Sequence, residues 1–167
     1  MEHLAARLRR KPPRHPAFDY AAPGVYFVTI CTHGRDCCLS EIADNVAGLT
    51  DIGCVVAACW EALPHHYPHV VLDAFVIMPD HVHGLLKMRP PAEDFATNPC
   101  GPPVSELVRW FKTQSTKHIN REGLHPTEFR WQRSFFDRVL RNRKELIGAR
   151  KYIRNNPQRR NVDDTNC

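Results

Sequence analysis

The chain has 167 residues, of which 43% are hydrophobic and 25% charged, so it is long enough for one globular domain with a sizeable core. Its formal net charge of +5 is compatible with a polyanionic partner but does not require one. No apolar run approaches the ~20 residues of a membrane-spanning helix, and the N-terminus lacks the apolar segment of a secretory signal, so we expect no membrane contact and a cytoplasmic location.

The first predicted element is a basic arm over residues 1–20. It carries Arg9, Arg10 and Lys11, and three prolines that follow them argue against a helix there. Lys and Arg are also frequent between residues 130 and 160. This clustering favours contact with phosphates over a merely solvated surface.

Hydrophobic periodicity predicts the remaining elements. The predicted strands cover residues 25–32, 69–77, 82–88 and 136–141, and the predicted helices cover residues 51–63, 104–119 and 143–155. Thr50 is expected to cap the first helix and Pro64 to end it. Residues 33–48 are expected to form a loop, and residues 89–103, which contain five prolines, an exposed linker.

This order of strands and helices predicts an α+β fold. A β-α-β-β-α-β core of this kind forms a ferredoxin-like antiparallel sheet with its helices on one face. The added C-terminal helix must therefore pack elsewhere.

Two histidines, His81 and His83, stand at the head of the third predicted strand. Side chains two apart on a strand point to the same face, so both imidazoles can bind one divalent ion. Taken alone, the spacing is better explained by surface or hydrogen-bonded histidines than by a metal site, because the chain has ten histidines and chance pairs are expected. The apolar strand and tight turn before the pair place the histidines on a rigid scaffold, which favours a metal site. Gly84, directly after it, is expected to allow close approach of another backbone.

Tyr152 and Asn156 are four residues apart in the last predicted helix, so they project from one face about a turn apart. The amide oxygen of Asn156 is a hard ligand suited to Mg²⁺ or Mn²⁺. The Tyr152 phenol has an ordinary pKa of ~10, so it needs help to act as a nucleophile near neutral pH. Taken alone, these residues are better explained without chemistry: Tyr152 would pack the helix against the sheet, and the Asn-Asn-Pro sequence would end the helix.

Five segments in order along the chain together resemble the single-tyrosine HUH transposases, and most of all the REP-associated tyrosine transposases of bacteria. The segments are YFVTICTHGR, FVIMPDHVHG, ELVRWFKTQSTKHIN, WQRSFFDRVLRN and YIRNNP. The resemblance implies a transposase domain over residues 21–160, between the arm at 1–20 and a short tail at 161–167. It also favours a monomer, with a homodimer as the alternative.

The resemblance assigns a role to each candidate site residue. It implies that His81 and His83 hold a catalytic Mg²⁺ or Mn²⁺ ion, with Asn156 as the third ligand and Asn155 as an adjacent competitor. Tyr152 corresponds to the tyrosine that attacks a scissile phosphate in single-stranded DNA. The implied activity is a metal-dependent endonuclease and strand transferase that cleaves hairpin-associated DNA through a 5′-phosphotyrosine intermediate. The last helix would then lie across the sheet face that bears the histidines.

Basic and aromatic residues in the C-terminal half are expected to handle the substrate. Lysines and arginines can contact phosphates, and Trp131 can stack on bases of a single strand, although packing in the core is an equal alternative for this ring. The residues expected to contact DNA are Arg9, Arg10, Lys11, Lys112, Lys117, Trp131, Arg138 and Arg141.

One position departs from the family pattern, and two other functions stay open. Members usually have Asn where this chain has Asp80, and the carboxylate is expected either to tune the ion or to bond the turn. The first alternative function is a DNA-hairpin binding module of the same fold without cleavage activity. The second is a ferredoxin-like metal-binding or RNA-binding protein in which both motifs are coincidental.

Overall fold

The computed structural model describes residues 22–90 and 102–158. The predicted arm with Arg9, Arg10 and Lys11, the tail and most of the proline-rich linker therefore lie outside the described residues. Among the helices that are described, none has both the length and the apolar character needed to cross a membrane.

Six strands and four helices lie within these ranges. They are β1 (Gly24–Cys31), β2 (Ser40–Ala43), β3 (Val46–Leu49), α1 (Asp51–Glu61), α2 (Leu63–His66), β4 (Val70–Met78), β5 (His81–Met88), α3 (Val104–Arg121), β6 (Phe136–Leu140) and α4 (Arg143–Arg154). All seven predicted elements are present, with ends that shift by one or two residues. Thr50 caps α1 as predicted, because its hydroxyl oxygen accepts a hydrogen bond from the Gly53 amide.

Two local predictions are wrong. The stretch predicted as a loop forms the β2–β3 hairpin, whose turn residues Asp44 and Asn45 both have positive φ (51° and 65°), as a tight hairpin turn requires. Pro64 does not end the helical structure but lies in the first turn of α2. Proline is tolerated there because the first-turn amides of a helix have no partner within it.

The main sheet has the strand order β4-β5-β1-β6, and every neighbouring pair is antiparallel. This is the ferredoxin-like arrangement that the order of elements predicts. The hairpin of β2 and β3 forms a separate two-stranded sheet.

One face of the main sheet packs on α1 and α3 and forms the core. Alternate residues of β1, including Tyr26 and Val28, are fully buried there. Trp60 of α1 lies against Phe111 of α3, with ring centroids 5.4 Å apart. A Cβ atom on Gly84 would lie 2.1 Å from the Trp60 ring, so this glycine accommodates an indole. The expectation that Gly84 allows another backbone to approach is therefore wrong.

The opposite face of the sheet is covered by α4. Asn142 caps this helix by accepting a hydrogen bond from the Glu145 amide. Farther along, Ile153 is buried, and the Arg150 guanidinium donates two hydrogen bonds to the Asp73 carboxylate on β4. The two contacts attach the C-terminal half of α4 to the sheet and bring Tyr152 onto this face.

Candidate active site

The candidate site begins with alternation along β5 and β1. Gly84 contacts the core, so His81 and His83, at odd-numbered positions of β5, point to the α4 face. In the register of the sheet, His83 is opposite Thr29 and His81 is opposite Cys31. Both histidines are buried, with 8% and 6% of their surface exposed.

The two imidazoles converge on one point. The Nε2 atoms of His81 and His83 are 3.0 Å apart. At this distance the two nitrogens can share a hydrogen bond, and both can reach one divalent ion at ~2.1 Å.

Partners of the Nδ1 atoms also suit metal binding. His81 Nδ1 lies 2.7 Å from Asp80 Oδ1, and His83 Nδ1 lies 2.8 Å from Thr29 Oγ1. An ionised carboxylate can only accept, so His81 Nδ1 is the donor, and in the neutral imidazole His81 Nε2 then carries a lone pair. That lone pair faces His83 Nε2 and needs a proton or a cation beside it. The donor set therefore fits a divalent ion.

The protonation state of His83 also suits metal binding. Burial, followed by the electrostatic effects of His81 and Arg35, lowers the pKa of His83 to about 3. The imidazole is therefore neutral near pH 7, as a metal ligand must be.

Tyr152 lies beside the histidines. Its hydroxyl oxygen is 3.4 Å from His83 Nε2, and its ring meets the His83 and Phe27 rings edge to face. The side chain is 37% exposed, so solvent reaches a phenol that stands next to the buried imidazoles. The structure thus brings together Tyr152, His81 and His83.

Asn156 follows α4 and is buried, with 7% of its surface exposed. Among the described residues, no hydrogen bond joins its side chain to either histidine. Its role as the third ligand, in preference to Asn155, remains a prediction.

An open groove of about 520 Å³ runs from Tyr152 between α4 and the sheet. Arg138 of β6 lines it and lies 3.6 Å from Glu145 of α4. On α4 the lining residues Glu145, Gly148, Ala149 and Tyr152 follow one another at helical spacing, and two of them are small. The groove therefore leads to Tyr152, and Arg138 lies along it.

The other predicted DNA contacts are placed differently. Arg141 is exposed directly after β6, and Lys117 is exposed on α3, which packs on the other face of the sheet. The Lys112 ammonium donates hydrogen bonds to the carbonyl oxygens of Gln132 and Ser134, at 2.8 and 3.0 Å. Lys112 thus holds the segment before β6, and its contact with DNA stays untested.

Trp131 belongs to the core. Its ring is 8% exposed, packs against Phe111 and Phe129, and donates a hydrogen bond from Nε1 to Ser115 Oγ at 2.9 Å. A ring in this position has no face open to a base. The stacking role predicted for Trp131 is wrong, and the core alternative is correct.

Sequence reasoning missed Thr29 and Arg35. Thr29 is the polar member of an otherwise apolar strand, and its alternation with the buried Val28 and Ile30 was a usable sign of a second, functional face. Arg35, whose Nε lies 2.6 Å from Asp80 Oδ2, gave no such sign because its partner is far away along the chain.

A second group of potential ligands consists of Asp36, Cys38 and His125, whose ligand atoms lie within 4.8 Å of one another. His125 Nε2 is already paired with Asp36 Oδ2 at 2.8 Å. Burial, with the negative charge of Asp36, raises the pKa of the Cys38 thiol to about 11. A thiol must lose its proton to bind a metal ion, so the raised pKa of Cys38 weakens this group as a metal site near neutral pH.

Comparison with known proteins identifies relatives of the chain. The sequence model of the family described as "Transposase IS200 like" matches residues 65–156. An uncharacterised protein of Haemophilus influenzae is 29% identical over 160 residues, which cover 89% of this chain and 88% of the relative. A second protein of that species, provisionally assigned as a REP-associated tyrosine transposase, is 26% identical over 147 residues, covering 83% and 73% of the two chains.

Two solved structures resemble the fold. A REP-associated tyrosine transposase bound to a REP hairpin aligns with a TM-score of 0.60 at 20% identity and covers 87% of this chain and 73% of that one. A protein from Deinococcus radiodurans, provisionally assigned as a transposase, aligns with a TM-score of 0.52 at 16% identity and covers 85% and 95%.

Proposed function

Because the chain belongs to the IS200-like transposase family, we propose that it is a metal-dependent endonuclease and strand transferase that acts on single-stranded DNA. The observation that carries the proposal is the position of the Tyr152 hydroxyl, 3.4 Å from one of two imidazole nitrogens that lie 3.0 Å apart. A nucleophile next to a pair of metal ligands is the arrangement that metal-assisted phosphoryl transfer needs.

In the proposed mechanism His81 and His83 would hold Mg²⁺ or Mn²⁺, and Asn156 would supply the third ligand from the protein. The bound ion would polarise a non-bridging phosphate oxygen and stabilise the charge of the transition state. The hydrogen bond to Asp80 favours the His81 tautomer with a lone pair on Nε2, and Thr29 is the partner of His83 Nδ1.

Tyr152 acts as the nucleophile. Its oxygen attacks phosphorus, the bond from phosphorus to the 3′ oxygen breaks, and a 5′-phosphotyrosine and a free 3′-hydroxyl result. Attack by a 3′-hydroxyl then releases the tyrosine and rejoins a strand, so the number of phosphodiester bonds is kept without ATP. Arg138, in the groove beside Tyr152, is placed to contact a phosphate of the incoming strand.

The proposed substrate is single-stranded DNA next to a hairpin. Support comes from the likeness to a transposase that was solved with a REP hairpin, and from the basic residues of the last third of the chain. We place the activity in the cytoplasm and favour a monomer as the acting form.

The test is formation of a covalent adduct. The full chain would be incubated with labelled single-stranded hairpins from the DNA that flanks its own gene, with Mg²⁺ or Mn²⁺, beside the variants Tyr152→Phe and His81→Ala. We expect a protein–DNA species that resists denaturant in the wild type and is absent from both variants and from samples with chelator. Hairpin binding by the wild type without any adduct would replace this proposal with a DNA-binding module that does not cleave.

A further inference from the structure

The carboxylate of Asp80 lies in the two-residue turn between β4 and β5, immediately before the first histidine. Only 2% of this residue is exposed. A buried carboxylate is costly unless it is paired and hydrogen-bonded, so its partners indicate what it does.

The two oxygens of this carboxylate have different partners. Oδ1 accepts the hydrogen bond from His81 Nδ1 at 2.7 Å, and Oδ2 lies 2.6 Å from Arg35 Nε. Arg35 has a φ of 62°, in the left-handed region that side chains other than glycine seldom adopt. The side chain that contacts Asp80 therefore comes from a residue with an unusual backbone conformation.

The backbone around Asp80 is held equally firmly. Its carbonyl oxygen accepts from the Thr32 amide at 2.9 Å and from the Thr32 hydroxyl at 3.0 Å, and the Pro79 carbonyl accepts from the Leu39 amide at 2.9 Å. The carboxylate therefore has a fixed position relative to the histidine that follows it.

The two histidines have unequal partners. His81 donates to a carboxylate, whereas His83 is bonded to a neutral hydroxyl, that of Thr29. A hydrogen bond with a charged partner is roughly twice as strong as one between neutral groups. A carboxylate on one ring nitrogen also raises the basicity of the other nitrogen as a ligand.

From these contacts we infer that Asp80, held by Arg35, is a positioning residue that fixes the tautomer and orientation of His81 and makes it the stronger of the two histidine ligands. The inference rests on the proposed function, because it assumes that the histidines bind an ion. Asp80 would act on the charge and orientation of His81 alone, and not on Tyr152 or the DNA.

A purely structural role for Asp80 is the competing explanation. Its ion pair with Arg35 would then only fasten residues 33–36 to the turn. In that case a substitution lowers the melting temperature but leaves the metal affinity of the folded protein and the His81 tautomer unchanged. The two roles can be separated by measurements without DNA.

The first measurement is Mn²⁺ affinity by titration calorimetry on the full chain, for the wild type, Asp80→Ala, Asp80→Asn and Thr29→Val. We expect Asp80→Ala to weaken binding about 10- to 100-fold, as for other residues that support metal-bound histidines. Asp80→Asn keeps an acceptor without the charge, so its loss should be smaller. Thr29→Val removes the neutral partner of the other ligand and should also cost less than Asp80→Ala.

The second measurement is the nitrogen chemical shifts of the imidazole side chains in the metal-free protein. We expect His81 to carry its proton on Nδ1 in the wild type and to populate the Nε2 tautomer in Asp80→Ala, with His83 little changed.

The outcomes distinguish this inference from the proposed function. Mn²⁺ affinity of Asp80→Ala within twofold of the wild type, with the same His81 tautomer, would overturn the positioning role alone. An equal loss in Thr29→Val and Asp80→Ala would overturn the claim that His81 is the stronger ligand. A wild-type chain that binds no Mn²⁺ would remove the metal site and the proposed function with it.

Discussion

The two faces of the main sheet are built from the same strands but differ in chemistry. On the core face, Tyr26 and Val28 pack with Trp60 and Phe111 in a layer of apolar side chains. On the α4 face, Thr29 and the neighbouring histidines form a hydrogen-bonded polar cluster beside an open groove. Alternation along the strands thus places the apolar core on one face and the polar side chains on the other.

The helices on the two faces are attached differently as well. α1 and α3 pack through many buried apolar residues, whereas α4 has one buried residue, Ile153, and an ion pair to β4 between Arg150 and Asp73. We therefore expect substitutions on the core face to change folding and substitutions on the α4 face to change activity.

The largest effect is expected from Tyr152→Phe. Loss of the hydroxyl should abolish the covalent DNA adduct, because no nucleophile then faces the phosphate. The ring contacts with His83 and Phe27 remain, so the free energy of unfolding in urea should stay within about 0.5 kcal/mol of the wild type. An adduct that persists in this variant would assign the nucleophile to another residue.

On the core face, Trp60→Ala should destabilise the fold by about 3–5 kcal/mol, since it leaves a cavity behind β5. Urea unfolding measures the change. Ile147→Ala on α4 is the control, because this side chain is 54% exposed and its loss should cost less than about 0.5 kcal/mol. Comparable losses in the two variants would contradict the proposed division between the faces.

Breaking the ion pair that attaches α4 should impair chemistry more than folding. Asp73→Ala should slow adduct formation about 10- to 100-fold, because a nucleophile displaced by about an ångström loses its reactive geometry. Arg150→Ala should have the same effect, and the double variant should add little to either, since all three lose one interaction. Single-turnover cleavage rates at saturating DNA measure the effect of each variant. Additive losses would show that the two residues act independently.

The last prediction is a pH dependence of stability without metal. The pKa of His83 is lowered from 6.5 to about 3 in the folded protein, so between these values the unfolded chain binds a proton that the folded chain does not. Stability should be complete above pH 6.5 and fall as the pH decreases, by at most about 1.4 kcal/mol per pH unit. Urea titrations with chelator would measure the slope, and His83→Gln should be flatter. Equal slopes would show that other groups dominate.

Much of the fold was readable from the sequence because periodicity and local chemistry agree. The strands that carry Tyr26 and His81, and the Thr50 cap, were predicted from local patterns alone. The β2–β3 hairpin was not predicted, because its two turn positions hold Asp44 and Asn45, without the glycine usual in such a turn. Local sequence also could not show that Gly84 makes room for Trp60, since that contact joins separate elements.

The candidate site was only partly readable, for the same reason. Spacing alone places both histidines on one face, and the family resemblance adds Tyr152 from a helix far along the chain. Nothing local distinguishes a buried Trp131 from an exposed one, because arginines flank it in either case. The pairing of Arg35 with Asp80 depends on a left-handed turn that sequence patterns do not reveal.

The contact between Gly84 and Trp60 also has a spectroscopic consequence. The Trp60 indole lies directly behind the strand position next to His83, is 1% exposed, and its buried Nε1 has no hydrogen-bond partner among the described residues. Such an indole emits at short wavelength, and its emission responds to small shifts of the backbone in front of it. In a variant whose other tryptophans, Trp110 and Trp131, are replaced by Phe, fluorescence would therefore test from the opposite side of the sheet, without any added label, whether an ion binds at the histidines.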